Sequence, residues 1–89
     1  MEKQIEELSD VSTSDLLQSK LVVHNDEFNS FEWVIECFIK YLKHESTQAE
    51  QCARLIDSIG KYSVKNGSYE ELLPYKVALI DAGLSVTIE

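Results

Sequence analysis

Apolar residues recur along this chain in three stretches at helical spacing and three shorter β-branched or alternating runs. Lys20-Leu21-Val22-Val23-His24 is bounded by the polar Asn25-Asp26-Glu27 and predicts a strand over 20–24. Phe31, Val34, Ile35, Phe38, Tyr41 and Leu42 return every three or four residues, the spacing of one helix face, and predict a helix over 30–43. Asn29 stands at its expected N-cap with Glu32 three residues on, the two halves of a capping box. A second helix shows Ala49, Cys52, Ala53, Ile56 and Ile59 on its apolar face. Ser46 or Thr47 is the expected cap, Thr47 and Glu50 make a possible second box, and Gly60 is the expected stop. Tyr62-Ser63-Val64 alternates as a strand over 62–65, and Asn66-Gly67 reads as a turn. Ser68 and Glu71 form a third capping box. Pro74, which lacks an N–H, predicts a kink or restart in the helix that follows. That helix resumes through Val77, Leu79 and Ile80 and stops at Gly83, and a strand over 84–88 closes the series. The order strand-helix-helix-strand-helix-strand predicts an α+β fold: a three-stranded antiparallel sheet with three helices packed on one face.

The stretch before the first strand breaks this pattern. Residues 1–18 hold five acids and one lysine, with apolar runs too short to support a helix alone. The expected organisation is a flexible acidic extension over 1–18 and one core domain over 19–89. The chain's formal charge is −8, from 16 acidic and 8 basic residues. Such a surface repels phosphate backbones and anionic lipid, so neither nucleic acid nor membrane is an expected partner. It favours cationic groups such as a protonated amine. No apolar run approaches 18 residues, and no basic start followed by an apolar stretch marks a secretory signal, so the expected location is the cytoplasm. Cys37 and Cys52 lie inside apolar helical patterns, outside any CxxC or CxxH spacing. They are expected to pack as small hydrophobes, with no metal and no cofactor.

Catalysis finds little support in the residues. No GxSxG, HExxH, P-loop or GxGxxG motif is present, and His24 and His44 fall at predicted edge or surface positions. A hydrolase using only Asp26 and Asp57 would need a cleft that a domain this small hardly affords. The informative stretch is His24-Asn25-Asp26-Glu27-Phe28-Asn29-Ser30-Phe31-Glu32-Trp33-Val34. A strand end, an acidic loop and a helix start put side-chain oxygens beside an apolar helix face, which suits an ammonium next to a hydrophobic group. The same Asn25 and Asp26 also suit a plain turn.

This stretch resembles the ClpS-type adaptors of the bacterial Clp protease, whose loop reads Asn-Asp-Asp-Tyr/Phe-Thr-Pro-Met-Glu-Phe-Val. The resemblance continues through Gln48-Ala49-Glu50-Gln51, Gly60-Lys61, Lys76-Val77-Ala78 and the terminal Thr87-Ile88-Glu89, covering about 20–89 with one gap near residue 83. It implies a non-enzymatic adaptor. Such a protein binds substrates that begin with a free, bulky hydrophobic residue (an N-degron) and delivers them to the N-terminal domain of a Clp AAA+ unfoldase. Carried across, Asn25 and Asp26 would hold the α-amine and first peptide group. Asn29 would stand at the pocket rim, where the family has Thr, and Phe31 at the family's Met gatekeeper. Val34, Ala53, Ile56 and Leu84 would line the side-chain pocket. Ser30 replaces Pro, and Asp57 replaces a His that helps bind the amine. Asp57 either binds it with a full charge or weakens recognition by burying one charge too many. A ribosomal-stalk C-terminal-type interaction module, which is similar in fold, is the alternative. Its Gly- and Lys-rich helical face is not found in this sequence.

Overall fold

The computed structural model describes residues 18–89, so the extension expected over 1–18 lies, apart from Gln18, outside the described residues. Strand β1 (Ser19–His24) is followed by α1 (Phe31–Leu42), α2 (Ser46–Ile59), β2 (Lys61–Gly67), α3 (Tyr69–Asp81) and β3 (Ser85–Ile88), which is the predicted order. The sheet order is β2-β1-β3, with both pairings antiparallel. β1 is therefore central, and Leu21, Val22 and Val23 are all buried where a half-exposed strand would alternate, with Leu21 and Val23 in the core cluster. Leu21 pairs with Lys65 but Val22 with Ser63, so Val64 is the extra residue of a β-bulge, and its side chain turns into the core.

The three helices bring Phe38, Cys52, Leu72 and Leu79 onto Leu21, Val23 and Val86 of the sheet in one core cluster. Phe38 is fully enclosed, and burial of such a side chain contributes about 1.5–3 kcal/mol. Cys37 and Cys52 are free, buried members of this core, as their sequence context suggested. Burial pushes both thiols above their ordinary pKa, helped at Cys37 by the charge of Glu36 and opposed by Lys40.

Helix boundaries follow local chemistry, with four departures from expectation. The N-cap of α1 is Ser30, whose hydroxyl accepts from Trp33 N–H at 3.1 Å, and not Asn29. Asn29 is drawn to partners across the fold, described below. α2 begins at Ser46 behind Glu45, which makes no side-chain cap bond. Ser46 and Thr47 already lie within the helix, so neither the expected cap nor the Thr47–Glu50 box forms. The Asn66-Gly67 pair stays inside β2, because Ser19 and Lys20 continue the ladder to Gly67 and Asn66. Pro74 neither stops nor restarts α3, which runs unbroken past it. Its missing N–H leaves the Glu70 carbonyl without a helical donor, and at this exposed position solvent can supply one.

The remaining signals hold. Ser68 and Glu71 form a complete capping box, and an added Cβ at Gly67 would meet the Glu71 carboxylate at 2.9 Å, so a larger residue there would push that carboxylate aside. Gly60, at φ 97°, ends α2. α3 closes in a Schellman turn: Gly83, at φ 99°, gives its N–H to Ile80 C=O and Leu84 gives its own to Leu79 C=O.

Candidate functional site

The loop that leaves β1 is tied down first by backbone. Asn25 N–H donates to Gly60 C=O at 2.8 Å, so the end of the central strand meets the end of α2. This contact sets residues 25–29 opposite Asp57 and Ile56, which lie one turn back along α2. Between them opens a depression with about 290 Å³ free of protein atoms, part of it continuous with solvent. Asn25, Asn29, Phe31, Val34, Ala53, Ile56 and Asp57 line it.

Seven of the nine residues singled out from sequence thus converge on one pocket. Its floor is apolar and built into the core, with Ala53 and Ile56 only 3% and 4% exposed. Phe31 and Val34 are half-buried on the α1 side, where helical spacing puts both on the face turned to α2. Arg54 lies over the Phe31 ring, 5.9 Å from its centroid, and pairs one turn back with Glu50. Asn25 and Asp57 are exposed on the rim. An amide and a carboxylate therefore stand beside an apolar hole.

Asp26 and Leu84 are placed differently. Leu84 is core, packed behind the α3–β3 turn, and does not line the depression. Asp26 builds the loop itself. Its Oδ1 accepts from Phe28 N–H at 2.9 Å and Asn29 N–H at 3.0 Å. Its Oδ2 accepts from the Asn29 side-chain amide at 2.9 Å and the Ser85 hydroxyl at 3.0 Å. Burial works to raise its pKa, but the donors from Phe28, Asn29 and Ser85 outweigh it and hold the carboxyl below the ordinary value. The turn reading of Asp26 is realised, and the side chain stays ionised.

Sequence reasoning missed the residues that brace this loop from behind. The Asn29 amide also donates to Gly83 C=O at 2.9 Å, and the Trp33 indole N–H donates to Ala82 C=O at 3.0 Å. Trp33 was visible only as the aromatic of the Glu-Trp-Val step, and Ser85 only as an outward strand position. The histidines lie elsewhere. His24, at the end of β1, shares a 2.8 Å hydrogen bond with the Thr87 hydroxyl, while His44 is half-buried between α1 and α2. Among the described residues no three His, Cys, Asp or Glu side chains are placed to hold a metal ion, and no helix is long and apolar enough to cross a membrane.

Comparisons with known proteins fit this geometry. A solved structure of Agrobacterium tumefaciens ClpS2 bound to L-phenylalaninamide superposes with a TM-score of 0.79 over 83% of this chain and 96% of that one. Sequence identity is 15%, so this likeness speaks for the fold. No curated protein matches the chain in sequence. The family model described as "ATP-dependent Clp protease adaptor protein ClpS" matches residues 17–87, most of the chain and all of the pocket, and the chain belongs to the ClpS family.

Proposed function

We propose that this chain recognises proteins by a free, bulky hydrophobic N-terminal residue and hands them to a Clp AAA+ unfoldase, docking on its N-terminal domain, without catalysing a reaction itself. The carrying observation is the juxtaposition in the pocket: Asn25 and Asp57 on the rim, and Phe31, Val34, Ala53 and Ile56 around the hole. A protonated α-amine beside an apolar side chain needs both kinds of contact at once. The ligand named for ClpS2, L-phenylalaninamide, has both features and carries no free carboxylate to oppose an acidic rim.

In this reading Asn25 accepts from the amine and Asp57 forms the ion pair where the family has His. Asp26 sits one layer behind and adds charge through the loop it holds. Val34, Ala53 and Ile56 take the first side chain, Phe31 gates it, and Leu84 supports the wall from the core. Charge-assisted hydrogen bonds contribute about 1.5–3 kcal/mol each, and a buried Leu or Phe side chain about the same. After the cost of association the expected dissociation constant is of micromolar order. For the N-terminal segment, the reading is that it contacts the unfoldase during delivery. The stalk-type alternative gains nothing from α3, whose outer stripe of Leu73, Val77 and Ile80 is apolar and not Gly- and Lys-rich.

Fluorescence anisotropy with peptides beginning Leu, Phe, Tyr, Trp, Arg or Ala tests this. Binding of the bulky hydrophobic set, abolished by N-terminal acetylation, is the expected result. Undiminished binding of an acetylated peptide would show that the pocket does not read a free amine.

A further inference from the structure

Three side-chain hydrogen bonds join the pocket loop and the start of α1 to the turn between α3 and β3. They are Asn29 Nδ2–H to Gly83 C=O, Trp33 Nε1–H to Ala82 C=O, and Ser85 Oγ–H to Asp26 Oδ2. The Schellman closure of α3 makes the turn a suitable anchor. It gives partners to the Leu79 and Ile80 carbonyls and leaves those of Ala82 and Gly83 beyond the helix ladder. The pocket floor needs no such help, because Ala53 and Ile56 are fixed by the core. The rim does, because Asn25–Asn29 is a surface loop with one backbone tie, to Gly60.

The network also fixes which way round Asn29 presents its amide. Its nitrogen faces the Asp26 carboxylate and the Gly83 carbonyl, and both are acceptors only. Both amide hydrogens are therefore spent inside the protein, and a ligand meets only the carbonyl oxygen. An acceptor on the rim welcomes an ammonium, whereas a donor there would repel it.

We infer that Trp33 and Ser85 are positioning residues of the amine site: acting through the α3–β3 turn, they hold Asp26 and Asn29 so that the rim offers oxygens before a peptide arrives. This rests on the amine-reading function proposed above. Neither residue lines the pocket. Trp33→Phe keeps an aromatic ring, though a smaller one, and deletes the indole N–H. Ser85→Ala deletes the hydroxyl, and Ser85→Thr restores it on a strand position that suits a β-branched residue. Both residues are exposed, so the variants should fold, and thermal melts check this.

The test uses two probes: a peptide beginning with Phe, and the same peptide with 3-phenylpropanoyl in place of Phe, which keeps the side chain and lacks the amine. NMR titration follows both, including the weak, roughly millimolar contact that the apolar side chain keeps without the amine and without the bulk of an acetyl group. Losing one hydrogen bond that orients the acceptors should weaken free-amine binding by about three- to tenfold in Trp33→Phe and in Ser85→Ala. Binding of the amine-free peptide should not change, and Ser85→Thr should return wild-type affinity. Wild-type binding accompanied by unchanged affinity in both deletion variants would overturn the inference and leave the function standing. Equal losses for the two probes would also overturn it, since they would mean general loosening. A wild-type chain that does not bind the Phe peptide would overturn both.

Discussion

Helix α1 begins and ends in corners of opposite character. At its N-terminal corner, residues 25–30, the Asp26 carboxylate takes four donors, Ser30 caps the helix and Asn29 reaches across to Gly83. At its C-terminal corner, residues 43–45, Lys43 takes the left-handed conformation at φ 62°, which suits Gly better. Glu45 enters α2 with no side-chain cap, and the buried His44 Nδ1 has no partner. The first corner joins strand β1 to α1, and the second joins α1 to α2. On the proposed function, the difference lies in what each must present. A rim that reads a ligand needs fixed, oriented oxygens, while a plain connection survives on backbone bonds from Lys43 and His44 back to Phe38. Polar groups are satisfied where geometry matters for recognition and left imperfect where it does not.

The sharpest way to break the contrast is to remove its hub. Asp26→Ala frees two backbone N–H groups, the Asn29 amide and the Ser85 hydroxyl. Most of the peptide affinity should go, with stability falling by about 2–3 kcal/mol in urea unfolding. Unchanged peptide binding would mean that the loop holds its shape without the carboxylate. Gly83→Ala comes next. The φ of 99° disfavours any Cβ, and that Cβ would reach within 3.6 Å of Asn29 Oδ1. A loss of about 1–2 kcal/mol should appear in thermal melts, with weakened peptide binding alongside.

The two corners should also separate along the pH axis. Burial lowers the His44 pKa below 6.5, the neighbouring Val64 backbone opposes this, and the nearby Lys65 charge lowers it further. The unfolded chain therefore takes up this proton more readily, so stability should fall as pH drops below about 6.5, the ordinary histidine value. His44→Phe should flatten that limb of a plot of melting temperature against pH. Asp26 acts lower. Its carboxyl is held below 3.8, so its contribution is intact above that value and is lost as pH falls through the lowered one. Asp26→Asn should flatten only this second limb. A single merged transition that neither variant alters would remove the distinction. The smallest effect is a gain: Lys43→Gly relieves the left-handed residue and should raise stability by about 0.5–1 kcal/mol, with peptide binding unchanged.

Local signals in the sequence located every element, because 3.6-residue periodicity and Gly stops are set by residues near one another. They failed where a distant partner competed. Asn29 and Ser30 are adjacent cap formers, and Glu32 made Asn29 the better candidate. The carbonyl that claims the Asn29 amide lies 54 residues away. Asn66-Gly67 read as a turn because nothing local shows Ser19 and Lys20 continuing the ladder beside it. The pocket was legible in two halves: Asn25, Phe31 and Val34 from the strand-loop-helix order, and Ala53, Ile56 and Asp57 from one face of α2. Only the family resemblance joined the halves. Trp33 stayed hidden because its partner is a backbone carbonyl of a turn, which no side-chain pattern announces, and Ser85 because the Asp26 carboxylate it bonds lies 59 residues away.

The pair of backbone hydrogen bonds between Lys20 and Glu89, both 2.9 Å, has a practical consequence for handling this protein. It brings the second residue of β1 and Glu89 side by side, whereas the pocket opens past the other end of β1, four residues and roughly 13 Å along the strand. A dye, affinity tag or surface tether joined ahead of Ser19 or after Glu89 starts out at the pole opposite the peptide. A short linker between the two positions would also allow a circularly permuted chain, with new termini opened in the 43–45 connection and the reading loop left uncut.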